Sequence, residues 1–262
     1  MADILDRIVA DVVRRLAADP APPDLEERAR AAAARRRAAG DTRSLQLALS
    51  APGPSLIAEA KHASPSAGVL REPFDPVELA LAYEAGGAAA ISVVTEPAFF
   101  GGDPAWIGAV REAVALPVLR KDFIVEPCQL FESVLLGADA VLLIQRILTP
   151  DRLRHLLDLA RELGLEVLLE IFADEDPAPA VASGAPVLGV NARDLATFEL
   201  DLGRVASLAA AIPPDRVRVA ESGVRGREDL RRLHAAGYEA FLVGEHLVRS
   251  EDPEAAVRGL LG

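Results

Sequence analysis

Lysine and asparagine are nearly absent from this chain, and the few that occur stand where chemistry could be done. Of 28 basic residues only Lys61 and Lys121 are lysine, and Asn191 is the one asparagine in the sequence. An ammonium group is a compact, titratable charge, whereas a guanidinium stays protonated. Lysines retained against such a strong bias toward arginine indicate positions where protons must move.

Three acidic residues accompany the lysines. Glu59 precedes Lys61 by two positions, and Glu170 and Glu221 each end a short apolar run. A carboxylate among aliphatic residues is costly to bury unless it is paired or protonated. Two ammoniums, three carboxylates and one amide are therefore suited to acid–base chemistry on an anionic substrate. The competing interpretation is a set of structural ion pairs.

These residues follow short apolar runs that alternate with amphipathic, helix-like stretches. Strands that are apolar on both faces predict a fully covered parallel sheet, and eight strand–helix pairs predict an α/β fold, a single (β/α)8 TIM barrel. An open doubly wound sheet would normally carry a Gly-x-Gly-x-x-Gly turn after its first strand, which the sequence lacks. The eight predicted strands are Leu56–Ala60, Ala89–Val94, Pro117–Leu119, Ala140–Ile144, Glu166–Leu169, Val187–Val190, Val217–Ala220 and Ala240–Val243.

Helix signals lie between these strands and before the first one. The predicted helices between strands include Pro76–Ala85, Pro104–Val114, Pro127–Leu136, Pro150–Leu163 and Glu228–Ala236. An apolar stripe predicts a further helix over residues 4–16. Asp24 is expected to cap the next one, which would stop at Gly40. We therefore expect a helical extension over residues 1–50, packed on a catalytic barrel over residues 51–262.

Composition excludes several classes of protein. A formal net charge of −12 opposes binding to nucleic acid, which needs Lys and Arg. The start of the chain has no basic segment followed by an apolar core, and no apolar run approaches the roughly 20 residues of a membrane span. A single cysteine, Cys128, suits a reducing compartment, so a cytoplasmic protein is expected. Four histidines without ligand spacing predict no metal site.

In such a barrel the catalytic residues lie at the carboxyl ends of the strands, and phosphate is commonly bound after strands seven and eight. The predicted seventh and eighth strands lead into Glu221-Ser222-Gly223 and Gly244-Glu245, where glycine lets backbone N–H groups approach an anion. Ser64-Pro65-Ser66-Ala67-Gly68 is either an ordinary turn or a loop that covers the substrate. Trp106 and the pair Phe99-Phe100 either line the mouth or pack a helix on the barrel.

Several of these motifs, in this order, resemble the indole-3-glycerol phosphate synthase family. The motifs are Ile57-Ala58-Glu59-Ala60-Lys61, Ser64-Pro65-Ser66, Thr95-Glu96-Pro97, Phe99-Phe100-Gly101-Gly102, Pro117-Val118-Leu119-Arg120-Lys121-Asp122-Phe123, Leu169-Glu170, Asn191-Ala192-Arg193-Asp194-Leu195, Glu221-Ser222-Gly223-Val224 and Val243-Gly244-Glu245. The resemblance implies a carboxy-lyase of tryptophan biosynthesis. It would convert 1-(2-carboxyphenylamino)-1-deoxyribulose 5-phosphate into indole-3-glycerol phosphate with loss of carbon dioxide and water.

The resemblance also implies roles for residues. Lys121 would be the general acid for ring closure, and Lys61 would pair with the anthranilate carboxylate or act as a second acid. Glu170 would accept a proton in the dehydration. The remaining implied residues are Glu59, Asn191 and Glu221 in the catalytic set, Ser64, Phe123, Arg193 and Ser222 in substrate binding, and Gly223, Gly244 and Glu245 in phosphate binding. Neither a metal nor an organic cofactor is implied.

Three departures and two alternatives accompany this assignment. His62, Ala67 and Phe172 stand where many family members have Arg, Lys and His. One alternative is another phosphate-binding barrel, such as phosphoribosylanthranilate isomerase or an aldolase that forms a Schiff base on Lys121. The other is a catalytically silent barrel that binds a phospho-ligand or a partner protein. The expected partner is a small phosphorylated substrate, with no nucleic acid or membrane, and the expected state is a monomer.

Overall fold

Eight parallel strands form a closed barrel in the computed structural model, which describes residues 4–193 and 199–262. The predicted α/β barrel is therefore confirmed. Each strand pairs with its neighbours in chain order, and the first closes on the last with Ser55 opposite Ala240. The strands are β1 (Ser55–Ala60), β2 (Ala90–Val94), β3 (Val118–Lys121), β4 (Ala140–Ile144), β5 (Glu166–Phe172), β6 (Val187–Asn191), β7 (Val217–Glu221) and β8 (Ala240–Val243).

The observed strands extend farther toward their carboxyl ends than the sequence suggested. Lys121, Asn191 and Glu221 are the last residues of β3, β6 and β7 rather than the residues after them. Strand β5 continues to Phe172, so Glu170 lies inside it. A polar residue whose side chain points into a cavity need not end a strand, because its backbone still pairs with the neighbouring strand.

The described helices surround the barrel and cover its two ends. They are α1 (Ile4–Ala18), α2 (Leu25–Ala38), α3 (Leu45–Leu49), α4 (Pro76–Gly86), α5 (Pro97–Phe100), α6 (Trp106–Ala113), α7 (Pro127–Leu136), α8 (Pro150–Leu163), α9 (Ala178–Ala182), α10 (Leu202–Leu208), α11 (Arg227–Ala236), α12 (Glu245–Val248) and α13 (Pro253–Leu261). Proline at the first helical position and left-handed glycine caps, as at Gly137 and Gly164, give several of them definite ends. Short 3₁₀ turns follow β4 and α10, over Gln145–Ile147 and Ala209–Ala211.

Two apolar cores follow from the alternation of side chains along the strands. One lies between the strands and the helices, and the other fills the barrel, where Ile57, Leu119 and Leu168 are fully buried. Residues that alternate with the outward set point inward, so Glu59, Lys121 and Glu170 continue the inner rows toward the carboxyl end. The apolar interior thus ends in a layer of charged residues.

The three helices before β1 occupy different places on the barrel. Helix α1 packs over the carboxyl ends of the strands, where Ile8 and Val12 cluster with Val125. Helix α2 lies against α7 and α8. Helix α3 closes the opposite end, and Ser44 Oγ and the backbone N–H of Gln46 donate to the Glu166 carboxylate at 2.6 and 2.7 Å.

The predicted cap of the second helix is wrong in its mechanism. Asp24 precedes α2, but its side chain accepts no capping hydrogen bond, and it lies 3.6 Å from Arg28 in an ion pair instead. An arginine one turn into the helix competes for the carboxylate that would otherwise bind a backbone N–H. Gly40 has the expected left-handed backbone, with φ of 66°. In the described part of the chain, none of the helices combines the length and apolar character needed to cross a bilayer.

Candidate active site

A cavity opens at the carboxyl ends of the strands and contains most of the predicted site residues. Its walls come from the strand ends, the loops after them and helix α1. The cavity is lined, among others, by Glu59, Lys61, Ser64, Lys121, Phe123, Glu170, Asn191, Arg193, Glu221, Ser222 and Glu245. All six predicted catalytic residues and all four predicted substrate-binding residues therefore face one space.

Glu59 and Lys61 form a close ion pair on this rim. Lys61 Nζ lies 2.7 Å from Glu59 Oε1, and Ser92 donates to the other carboxylate oxygen at 3.4 Å. Burial alone would raise the pKa of Glu59, but the ammoniums of Lys61 and Lys121 outweigh it and hold that pKa below its usual range. Glu59 is therefore a fixed negative charge that orients Lys61.

Lys121 lies between two other carboxylates. Its Nζ is 3.2 Å from Glu170 Oε2 and 3.4 Å from Glu221 Oε2. Burial opposes the charge of Lys121, but Glu170, Glu221 and Glu59 together raise its pKa above the ordinary value. The residue is an ammonium at neutral pH, suited to donating a proton.

Glu221 is the least satisfied member of the group. Its side chain is 1% exposed, and neither carboxylate oxygen accepts a hydrogen bond from the described residues. Burial and the neighbouring Glu170 raise its pKa well above the usual range, against the opposing effect of Lys121. The pKa of Glu221 is thus shifted in the opposite direction to that of Glu59, and carboxyl groups with opposite shifts are suited to holding and accepting protons in turn.

Asn191 and Arg193 form one wall between β6 and the next loop. The Asn191 side-chain oxygen accepts a hydrogen bond from the backbone N–H of Arg193 at 3.0 Å, which fixes the amide. Arg193 also forms an isolated bridge with Leu200. Asp194 and Leu195, which belong to the same motif, lie outside the described residues.

A second cavity adjoins the first and contains the predicted phosphate-binding residues. Both cavities are lined by Glu59, Lys61, Arg193, Ser222 and Glu245, and Gly223 and Gly244 line the second. Consecutive left-handed residues, Ser222 with φ of 65° and Gly223 with φ of 84°, turn the backbone sharply after β7. Such turns can present adjacent N–H groups to an anion.

The segment after β1 is a hairpin that covers the cavity. Ala63–Ser64 pairs antiparallel with Gly68–Val69, and Ser64, Pro65 and Ser66 line the cavity. Next to the hairpin, His62 stacks on Phe74 at 5.2 Å between ring centroids, and Phe74 stacks on Trp106 at 5.0 Å. The alternatives left open for the segment at residues 64–68 and for the aromatic residues are therefore distinguished. The loop covers the site and Phe100 lines it, whereas Trp106 packs a helix on the barrel.

Two parts of the site were missed from sequence. Helix α1 contributes Ile4 and Ile8 to the cavity wall. The segment around Lys121 is held by Asp122, which accepts hydrogen bonds from Thr95 at 2.6 Å and from the backbone N–H of Phe123 at 2.8 Å. The buried Arg120 adds a bond to Asp122 at 3.0 Å. The sequence signal for this network was an arginine and an aspartate flanking a strand-end lysine.

Two further residues noted in the sequence, Cys128 and Phe172, pack in the apolar cores. Cys128 is half-buried on α7, packed against the outer core. Phe172 lines the cavity, with the Arg146 guanidinium 4.5 Å from its ring centroid. Within residues 4–193 and 199–262, no three His, Cys, Asp or Glu side chains are grouped as a metal site.

Known proteins are similar to this chain in sequence and in fold. The model of the indole-3-glycerol phosphate synthase family matches residues 5–260. The indole-3-glycerol phosphate synthase of Mycobacterium avium is 47% identical to this chain, over 99% of this chain and 94% of the relative. The protein of the same name from Rhodopirellula baltica is 51% identical, over 79% of this chain and 80% of the relative. A thiamine phosphate pyrophosphorylase from Pyrococcus furiosus has a TM-score of 0.60 at 18% identity, over 83% of this chain and 96% of its own. That likeness concerns the fold alone.

Proposed function

Because the chain belongs to the indole-3-glycerol phosphate synthase family, we propose that the cavity at the strand ends performs the family's reaction with Lys121 as its general acid. The chain is a carboxy-lyase of tryptophan biosynthesis, which converts 1-(2-carboxyphenylamino)-1-deoxyribulose 5-phosphate into indole-3-glycerol phosphate. The observation that supports the residue roles is the placement of Lys121 in a buried group of carboxylates, 3.2 Å from Glu170.

The two adjoining cavities match the two ends of this substrate. Lys61 lines both cavities and is proposed to pair with the anthranilate carboxylate. Gly223, Gly244 and Glu245 are proposed to bind the phosphate through backbone N–H groups, with Ser222 and Arg193 beside them. The anthranilate ring would lie among apolar side chains that include Phe123 and Ile8.

Ring closure joins the aromatic carbon that carries the carboxylate to the ketone carbon of the sugar chain. The electrons of the carbonyl bond move to its oxygen, where Lys121 donates a proton and is left as a neutral amine. An ammonium fixed near the developing oxyanion stabilises it before the proton moves. Carbon dioxide then leaves, and its bonding electrons restore the aromatic ring.

Dehydration introduces the double bond that makes the five-membered ring aromatic. The former ketone oxygen, now a hydroxyl, leaves as water after receiving a proton. The neighbouring carbon then loses a proton, for which Glu170 is the proposed acceptor. Lys61, whose Nζ lies 2.7 Å from Glu59 Oε1, is the candidate acid for this half of the reaction.

The proposed role of Lys121 argues against the alternative of a Schiff-base aldolase. A Schiff-base aldolase needs a neutral lysine, whereas the three carboxylates raise the pKa of Lys121 against the effect of burial. Every proton transfer is assigned to a residue of one chain, so the proposal includes no cofactor and a monomer. The single cysteine supports the proposal of a cytoplasmic location. We also propose the division into an extension, residues 1–50, and a barrel, residues 51–262. The charge of −12 supports a small-molecule partner rather than nucleic acid.

The direct test is to add the carboxyphenylamino-deoxyribulose phosphate to the purified protein and follow indole fluorescence. Formation of the indole product by the wild type, with at least ~100-fold loss in Lys121→Arg, would support the assignment. Substrate consumed without indole product, or a covalent adduct trapped by borohydride on Lys121, would contradict it.

A further inference from the structure

Gly189 is an inward-facing position of β6 that carries no side chain. It pairs with Glu170 on β5 and with Val219 on β7, both of which point into the barrel. Its φ lies outside the left-handed region, so the backbone does not require glycine there. The reason for glycine must therefore be the space that a side chain would occupy.

That space is occupied by Glu221. A Cβ atom built on Gly189 would overlap Glu221 Oε1 and would lie 3.1 Å from Glu221 Cδ. Glu221 therefore reaches across the bare surface of β6 toward Glu170, the residue directly opposite Gly189. Both carboxylates meet the same ammonium, Lys121 Nζ, at 3.2 and 3.4 Å.

The surroundings of Glu221 leave it short of compensating charge. Among the described residues, the charged groups that act most strongly on it are Lys121 from β3, Glu170 from β5 and Glu59 from β1. Glu59 is already paired with Lys61. The directly paired neighbours of Glu221 are Asn191 and Leu242, which carry no charge. One ammonium thus serves two buried carboxyl groups, an arrangement in which one of them retains a proton.

We propose that Gly189 is a positioning residue: because it has no side chain, Glu221 lies against Glu170, and the two carboxyl groups hold one proton between them beside Lys121. The consequence for turnover rests on the proposed function. The substrate carboxylate leaves as neutral carbon dioxide, so each turnover consumes one proton. Once Lys121 has protonated the ketone oxygen, the shared proton moves to its neutral amine, which leaves two carboxylates and restores the ammonium. Glu170 then accepts the proton that the neighbouring carbon loses in the dehydration, which restores the shared proton, and solvent reprotonates Lys61 after it has protonated the leaving hydroxyl.

The shared proton is tested in the free protein by infrared spectroscopy, without any turnover. The wild type should show the absorption of a protonated carboxyl group at neutral pH, and Glu221→Gln should lack it. In Gly189→Ala the absorption should disappear at a lower pH than in the wild type, because Glu221 is displaced from Glu170. A wild-type spectrum with no protonated carboxyl group would overturn the proposal, whether or not the enzyme is active.

The contact itself is tested by thermal unfolding of a double-mutant set. Gly189→Ala should lower Tm by about 5 °C or more in the wild-type background and much less in a Glu221→Ala background. If Gly189→Ala alone does not fold but Gly189→Ala combined with Glu221→Ala does, that outcome equally supports the contact with Glu221. Equal loss in both backgrounds, or failure of both to fold, would assign the contact to Leu168, whose Cδ1 is 3.2 Å from the added Cβ, and would overturn the proposal.

The pH profile of kcat/KM separates positioning from general damage. In Gly189→Ala the decrease on the alkaline side should move to lower pH, because the shared proton is lost earlier. Gly259→Ala, on the last helix with no atom within 4 Å of the added Cβ, is the matched control and should keep the wild-type profile. A Gly189→Ala profile lowered at every pH but unchanged in shape would contradict the proposal. Absence of turnover by the wild type would contradict the proposed function instead.

Discussion

Lys61 Nζ lies 2.7 Å from Glu59 Oε1, two residues earlier in the chain, and this pair stands at the boundary of the two cavities. The i, i+2 spacing places both side chains on the inner face of the barrel. The ammonium is thereby held between the space proposed for the anthranilate ring and the space proposed for the phosphate.

Glu59→Gln should weaken both catalysis and stability. The pKa of Glu59 is lowered in the folded protein, so its stabilising contribution is present above the unfolded value of about 4.3 and is lost as pH falls through the folded value. We expect the variant to be less stable by about 1–3 kcal/mol at pH 7 and to approach the wild type in acid. Urea unfolding across pH measures this. Glu112→Gln, at an exposed position on α6, is the control.

Lys121→Arg keeps the positive charge but removes the proton donor. We expect kcat to fall at least ~100-fold while the fold is retained, because a guanidinium does not release its proton at neutral pH. Steady-state kinetics with circular dichroism checks both parts. Arg35→Lys, an exchange at an exposed position of α2, should leave kcat unchanged. Wild-type turnover in Lys121→Arg would exclude Lys121 as the general acid.

Glu221→Gln should have the opposite effect on stability from Glu59→Gln. Because the folded pKa of Glu221 is raised, its contribution is greatest below the unfolded value of about 4.3 and is lost as pH rises through the folded value. The amide variant avoids that loss, so it should exceed the wild type in stability by about 1–3 kcal/mol at alkaline pH while losing activity. A variant less stable than the wild type at every pH would show that the carboxylate is adequately paired.

Ile8→Ala tests whether helix α1 is part of the active site. Ile8 is 2% exposed and lines the cavity, so truncation should destabilise the protein by about 2–5 kcal/mol and raise KM about tenfold. Val13→Ala, at a 51% exposed position on the same helix, should change neither quantity appreciably. Loss of stability with an unchanged KM would place α1 outside the substrate site.

The sequence was sufficient to predict the barrel and the charged layer, because strand alternation fixes which residues point inward. Lys121 and Asn191 were identifiable because composition made them rare and because they terminate apolar runs. The partners of Lys121 were not predictable, since they depend on the stagger between strands that are far apart in sequence. Ile8 was missed because an apolar stripe looks the same whether a helix packs on a core or lines a cavity.

The same scarcity of lysine has a practical result for anyone who modifies this protein. Apart from a terminal amine, the only amines are those of Lys61 and Lys121, and both side chains are 17% exposed within the cavity. Acylating dyes, reductive methylation and amine-reactive resins therefore modify lysine only within the cavity, since the sequence has no lysine elsewhere. Bound substrate should protect both residues, so mass shifts on them would count the active centres that are free of substrate.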